Sequence, residues 1–314
     1  MKTYEAAGYI TKFNFTTTLL VISFLIYLTV FHIKQINKTY KWMIVIFATM
    51  GITFSFLEVT VRPCFHNFNG GFIYFSLNPS LPVKSGSLLT ACYSGFFCSI
   101  LVYVAVQFIY RCWSLTDNPL ISLFQGFKVI VWVLFVLTPN DYMKDEMLKV
   151  YELEMNDFPR FIVIAYDCND KIRWKDVLSV GTLSGILFMN LTIIGFTAYR
   201  MKKEMKARLR EMSKRNRRLE TQFFKALLAQ SAFPTFLLIG PVGPVLLLPF
   251  FNFKISLQAG FLYSLISLYP PLDSIAMMLI ITEYKSCARK AKRLRSYKKK
   301  KSVDSVTSLN VISS

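Results

Sequence analysis

Gly86–Arg111, GSLLTACYSGFFCSILVYVAVQFIYR, decides the fold: apolar and small residues follow one another with no charge until the last position. A helix rising about 1.5 Å per residue is long enough over this stretch to cross roughly 30 Å of hydrocarbon. Gln107 is its one strongly polar side chain, and it lies near the end. Phe108, Tyr110 and Trp113 gather at the exit, where amphipathic rings favour the membrane interface. Arg111 stands where such a helix leaves the bilayer. A buried helix of a water-soluble domain is rarely this long.

The pattern recurs. Helices are expected over about 13–33, 42–61, 86–111, 121–139, 177–200, 222–250 and 257–282. The expected architecture is an all-α membrane protein, a seven-transmembrane helix bundle over residues 1–284. A basic tail, 285–314, follows and is expected to be disordered. The first apolar run shows no small-residue cleavage site and reads as an uncleaved signal anchor. Composition agrees: 54% of residues are hydrophobic, 18% are charged, and mean hydropathy is +0.41. The net charge of +19 could suggest nucleic acid, but the cations gather in Arg200–Arg218 and in the tail. Basic flanks beside membrane helices read instead as topology signals and contacts to anionic lipid.

Seven spans put the termini on opposite sides. Lys34, Lys38, Lys41, Arg111, the 200–218 cluster and the tail fall on one face, and the acidic segment Asn140–Asp176 falls on the other. By the positive-inside rule the N-terminus is outside and the C-terminus cytosolic. Pro234, Pro241, Pro244 and Pro249 in the sixth run, and Pro270 and Pro271 in the seventh, are expected to kink their helices. Met201, Met205, Leu209 and Met212 recur at helical spacing, with Glu204/Arg208 and Glu211/Arg215 at i,i+4. The fifth and sixth helices should therefore project past the bilayer and meet in a turn around Asn216.

Chemistry for catalysis is missing. The two histidines, His32 and His66, fall on opposite faces, and no HExxH, Walker or GxSxG motif occurs. The chain is read as no enzyme, with no metal and no cofactor. Intramembrane ionisable residues are few: Glu58, Lys128 and Asp273. Lys128 can snorkel to the interface. Glu58 either pairs with Arg62 at i,i+4 or faces a ligand. Asn14, Asn37 and Asn190 begin N-x-S/T triplets, but none is well placed for a glycan.

Five stretches together resemble one family. They are RPCFH from Arg62, FIYR ending at Arg111, NDYMKDEMLKVYELE from Asn140, QFFKALLAQSAFP from Gln222, and YPPLD from Tyr269 to Asp273. In this order they resemble the nematode seven-transmembrane chemoreceptors of the Str type, within the Str/Srd/Srh/Sri/Srj group. The resemblance implies a rhodopsin-like olfactory G-protein-coupled receptor on the plasma membrane of sensory-neuron cilia, with a small-molecule odorant and a heterotrimeric G protein as partners. Arg111 matches the arginine closing the third helix and looks like the arginine of the DRY motif, although no acid stands beside it. Asp273 lies in a place similar to the NPxxY region, without the Asn and Tyr, and is read with Pro270 as a conformational switch. A disulfide from Cys168 to Cys92 would resemble the link common in seven-helix receptors; Cys168 to Cys64 is the alternative. Cys287 is either palmitoylated or an unmodified thiol.

The ligand is expected to be small and largely apolar, held in the outer half by Glu58, Tyr93, Phe97, Phe261 and Tyr263, although these aromatics could equally be packing. Arg111 with Arg208, Arg215, Arg217 and Arg218 is read as the G-protein surface; the cluster could instead be a solvated linker touching lipid. The alternative to a receptor is a ligand-gated channel or small-molecule transporter.

Overall fold

The computed structural model describes residues 3–33, 38–68, 71–78, 80–116, 160–164, 174–208, 213–247, 257–258 and 264–286. Among the described residues, five helical spans are long and apolar enough to cross a membrane: Gly8–His32, Lys38–Val61, Ser85–Leu115, Val180–Lys206 and Lys214–Pro244. A shorter apolar segment, Ser264–Ile280, supplies part of the expected seventh. The expected fourth helix, 121–139, lies outside the described residues, as do Lys128 and most of the acidic segment.

Helix α1 covers Thr3–Tyr27 and continues as a π-helical turn, Leu28–His32. Helix α2 covers Lys38–Val61, α3 Val83–Leu115 and α4 Trp174–Arg208. Helix α5, Lys214–Pro234, runs through a second π-helical turn, Thr235–Ile239, into α6, Gly240–Leu247. Helix α7 covers Tyr269–Ile280. Helix α2 packs between α1 and α3, α3 reaches α4 and α5, and α5 packs on α7, which returns to α1.

The seam between α2 and α3 is aromatic. On α2, Tyr40, Phe47 and Phe54 stand seven residues apart, which keeps them on one helical face. Each stacks on a tyrosine of α3: Phe54 on Tyr93, Phe47 on Tyr103 and Tyr40 on Tyr110, at centroid distances of 4.8, 5.9 and 6.4 Å. The planes lie within 17° of parallel in all three pairs. Such contacts add roughly 0.5–1.5 kcal/mol each beyond the area they bury. The Tyr103 hydroxyl also donates to the Met43 carbonyl at 3.3 Å.

Many threonine hydroxyls within the helices are satisfied locally. Thr49, Thr53, Thr60, Thr90, Thr182 and Thr192 each donate to the carbonyl four residues back, which lets a hydroxyl sit in an apolar medium. Asn14 is buried, its Nδ2 donating to Ser267 Oγ at 2.6 Å, so it ties α1 to the approach of α7 and offers no glycan site. Asn190 is likewise turned inward, to the Ile186 carbonyl. The outer faces of α1 and α4 instead expose Phe13, Leu20, Leu178, Phe188 and Phe196, as lipid contact requires.

One end of the bundle carries an antiparallel sheet that composition does not reveal. Strands β1 (Pro63–Phe68), β2 (Gly71–Ser76), β3 (Arg160–Ile164) and β4 (Leu257–Gln258) lie in the order β3-β2-β1-β4. The Phe68–Gly71 register leaves Asn69-Gly70 between the strands, a strong two-residue hairpin signal. Helix α2 stops because Arg62 takes a left-handed conformation, φ 48°, and donates its N–H to the Glu58 carbonyl. Ser76 Oγ and Asn78 Nδ2 then cap the Val61 and Thr60 carbonyls, so the hairpin is fastened to the helix end.

Three sequence expectations are corrected. Leu257–Gln258 pairs with Asn67 and His66 as a strand, so no helix begins at Leu257. Pro270 and Pro271 do not kink a helix but start one, in a first turn that needs no N–H donor. Asn216 lies inside α5, where its N–H is accepted by the N-cap Ser213 hydroxyl, so no turn falls at Asn216.

The close approach of α1, α2 and α7 depends on Gly51. A Cβ there would lie 3.2 Å from Ile22 Cδ1 and 3.5 Å from Pro270 Cβ. Gly51→Val should lower thermal stability in detergent by about 1–3 kcal/mol, with Gly51→Ala milder. Equal melting points for both variants and the parent chain would refute this packing.

Candidate functional site

Two clusters of buried polar groups occupy opposite ends of the α2–α3 seam. At the sheet end, Glu58 closes the last turn of α2, with 1% of its surface exposed. Neither carboxyl oxygen has a hydrogen-bond partner, and Arg62 is exposed. The i,i+4 pair with Arg62 is thus not formed, because the left-handed turn at Arg62 takes that side chain off the helical face. Tyr93 is buried against Phe54, and its hydroxyl also has no partner. Tyr74 of β2 completes the group, its phenol raised above its ordinary value by burial, with the Ser94 hydroxyl opposing. Phe97 is half-buried against the same core. Phe261, Tyr263 and Cys168 lie outside the described residues; Cys92 is half-buried on α3.

The other end is basic. Arg111 Nη1 lies 3.4 Å from Glu220 Oε2, joining α3 to the first turns of α5. The guanidinium also sits over two rings, 4.1 Å from the Tyr40 centroid and 4.6 Å from that of Phe223. Arg111 has a nearly buried side chain, whereas Glu220 is about a third exposed. The rings shield one partner and water reaches the other, an arrangement strong enough to hold and weak enough to release. Arg215, Arg217 and Arg218 are exposed on the first turns of α5. Arg208 ends α4, and its side chain lies outside the described residues.

Two further ties hold this end. Gln222 Oε1 accepts from both the N–H and the hydroxyl of Thr282 at 3.0 Å, linking α5 to the segment just past α7. Thr29 and Tyr284 share a hydrogen bond of 2.8 Å between the end of α1 and the same segment. Beside them, burial pushes the Glu283 carboxyl above the usual range, with Arg215 opposing. Between the two ends, Asp273 is buried with Gln230 alongside, on a small cleft that Pro270 also lines.

Reading the sequence in isolation missed Glu220, although its signal was available. It is the sole acid between Arg215 and Lys225, at the edge of an apolar run, within one and a half helical turns of Arg215, Arg217 and Arg218. Gln230 and the ring pair around Arg111 were missed because each acquires a role across helices distant in sequence. A double-mutant cycle of Arg111→Met and Glu220→Met on thermal stability should give a coupling of roughly 1 kcal/mol. Zero coupling would mean that the pair does not hold α3 and α5 together.

Comparison with known proteins places this architecture. The sequence profile of the family "Serpentine type 7TM GPCR chemoreceptor Str" matches residues 7–140 and 138–289. The chain is 39% identical over 302 residues to the G-protein coupled receptor str-33 of Caenorhabditis elegans, covering 88% of each protein. It is 24% identical to serpentine receptor class r-10 of the same worm, covering 79% of each, and 24% identical to that of Caenorhabditis briggsae, covering 85% of this chain and 84% of the relative. Squid rhodopsin superposes with a TM-score of 0.55 over 93% of this chain and 85% of its own, at 12% identity, a likeness of fold. The family is one of multi-pass membrane receptors, not of enzymes. With its profile spanning both halves and a relative matched over most of its length, the chain belongs to the serpentine seven-transmembrane chemoreceptors of the Str family.

Proposed function

We propose that the chain is a chemosensory receptor that binds a small, largely apolar molecule at the sheet end and activates a heterotrimeric G protein at the basic end. The observation that carries this reading is the Arg111–Glu220 contact: it closes α5 onto α3 at the end where exposed arginines gather. In this reading the sheet end faces outside and the basic end the cytosol, which follows the positive-inside bias of the cations. Glu58, Tyr93 and Phe97 hold the ligand, together with Phe261 and Tyr263. Anionic lipid of the inner leaflet meets the basic residues of α4 and α5. The membrane is that of a sensory-neuron cilium, as in the receptors it resembles.

Activation is a population shift between α5 held against α3 and α5 swung away. Helix α5 is built to hinge. Pro234 and the π-helical turn Thr235–Ile239 break its regular hydrogen bonding, and a small cleft lies beside them, lined by Leu101, Val104, Asn190 and Thr235. Movement there opens Arg111 and the Arg215, Arg217 and Arg218 surface to the G protein. Asp273 and Pro270, on the neighbouring face of α7, follow the same motion.

Reconstituted with a heterotrimer and no ligand, Glu220→Gln should raise basal nucleotide exchange several-fold, and Arg111→Ala should abolish it. Unchanged exchange in both variants would overturn the mechanism. In intact cells an epitope at Met1 should be accessible and one after Ser314 protected. The reverse pattern would place the arginines outside and exclude G-protein coupling through them.

A further inference from the structure

We infer that the ligand recognised at the sheet end carries a protonated amine, and that Glu58 supplies its counter-charge. The inference rests on the receptor reading above and names the ligand class for that site. A carboxyl group with 1% of its surface exposed and no hydrogen-bond partner for either oxygen is an arrangement that folding alone disfavours. It becomes favourable once a cation, or a strong donor, arrives. None is supplied by the described residues: the arginine one turn on, Arg62, is exposed and its backbone turns away from the helical face. Among the described residues, then, Glu58 is a buried acceptor without a partner, as a site awaiting a cationic ligand requires.

The surroundings select the kind of partner. Glu58 lies within electrostatic range of the Tyr74 and Tyr93 phenols, and Tyr93 stacks on Phe54. Aromatic faces next to a carboxylate stabilise an ammonium group doubly, through the ring quadrupoles and through the opposite charge. The unpartnered Tyr93 hydroxyl can accept one ammonium hydrogen while Glu58 accepts others. A divalent metal is a poor fit, since no group of three or more His, Cys, Asp or Glu side chains converges among the described residues. A neutral alcohol or ketone can hydrogen-bond one carboxyl oxygen, but it gains neither the ring quadrupoles nor the ion pair that an ammonium forms as Glu58 ionises. Phe54 and Leu57, beside Glu58 on α2, are apolar, which suits an aliphatic body on the amine. This class remains compatible with a small and largely apolar molecule, with one cationic head.

The test uses the full chain in nanodiscs. Its thermal unfolding midpoint is followed with hexylamine, 1-hexanol and 2-heptanone, and basal nucleotide exchange on a heterotrimer is measured in the same preparation. Hexylamine should raise the midpoint in a saturable manner at concentrations where hexanol and heptanone do not. Glu58→Gln should weaken that effect on the order of 100-fold, because one partner of a buried charge pair is gone. The variant should itself melt at or above the parent's midpoint, which separates loss of binding from loss of fold. Glu58→Asp should keep the preference for the amine. A shift by the alcohol or ketone equal to that by the amine, or an amine shift unaltered in Glu58→Gln, overturns the amine class. So does the absence of any amine effect. With basal exchange intact, each of these failures leaves the receptor reading standing; loss of exchange as well would remove both.

Discussion

Stacking between α2 and α3 is the constraint on which the two ends of this molecule depend. Phe54–Tyr93, Phe47–Tyr103 and Tyr40–Tyr110 run down the seam as three nearly parallel pairs. Glu58 and Tyr40 are separated by eighteen residues of α2, and Tyr93 and Arg111 by eighteen residues of α3. Eighteen residues make five helical turns, about 27 Å, so each pair shares a face of its helix. The buried carboxyl at one end and the ring-bound guanidinium at the other are thus terminal points of one packed interface. Side chains that interdigitate in this way repack in discrete steps, which suits a two-state element better than gradual bending.

What differs between the ends is how each polar group is satisfied. Arg111 has an acid, two ring faces and a position at the bundle's edge, so it is held without being sealed. Glu58 has no such compensation. An unpaired buried carboxyl thus lies beneath the hairpin, and a partly exposed ion pair lies at the basic end. Pro234 with its π-helical turn places a weak point between them on the helix that carries Glu220. The proposed ligand end and the proposed hinge each coincide with a local departure from ideal structure, an unpaired carboxyl in one case and a π-helical turn in the other.

Much of this architecture is legible in the chain. Long uncharged runs announce spanning helices because the bilayer demands them, and Arg111 stands out because charge at the end of such a run needs a reason. The sheet is not legible in the same way. Asn69-Gly70 marks the β1–β2 hairpin, but β3 and β4 are two to five residues long and come from connections far away in sequence, so no local period announces them. The seven-residue spacing of Tyr40, Phe47 and Phe54 is visible, but their partners on α3 are spaced ten and then seven, and the match emerges when the helices are placed antiparallel. Glu58 shows the limit of local rules: helical spacing pairs it with Arg62, and a single left-handed residue undoes that pairing. Pro270 and Pro271 mislead for a related reason, since proline in an apolar run can bend a helix or begin one, and the run itself does not say which.

The central claim is that α5 leaves α3 at the basic end when a G protein engages. Spin labels at Ser114 on α3 and Arg217 on α5, both on described helices near the Arg111–Glu220 contact, would report that separation by pulsed electron resonance. The account predicts a short distance population in the receptor alone, and a longer one that gains weight with nucleotide-free heterotrimer and in Glu220→Gln without it. A single distance, unchanged by the heterotrimer and by the substitution, would contradict it.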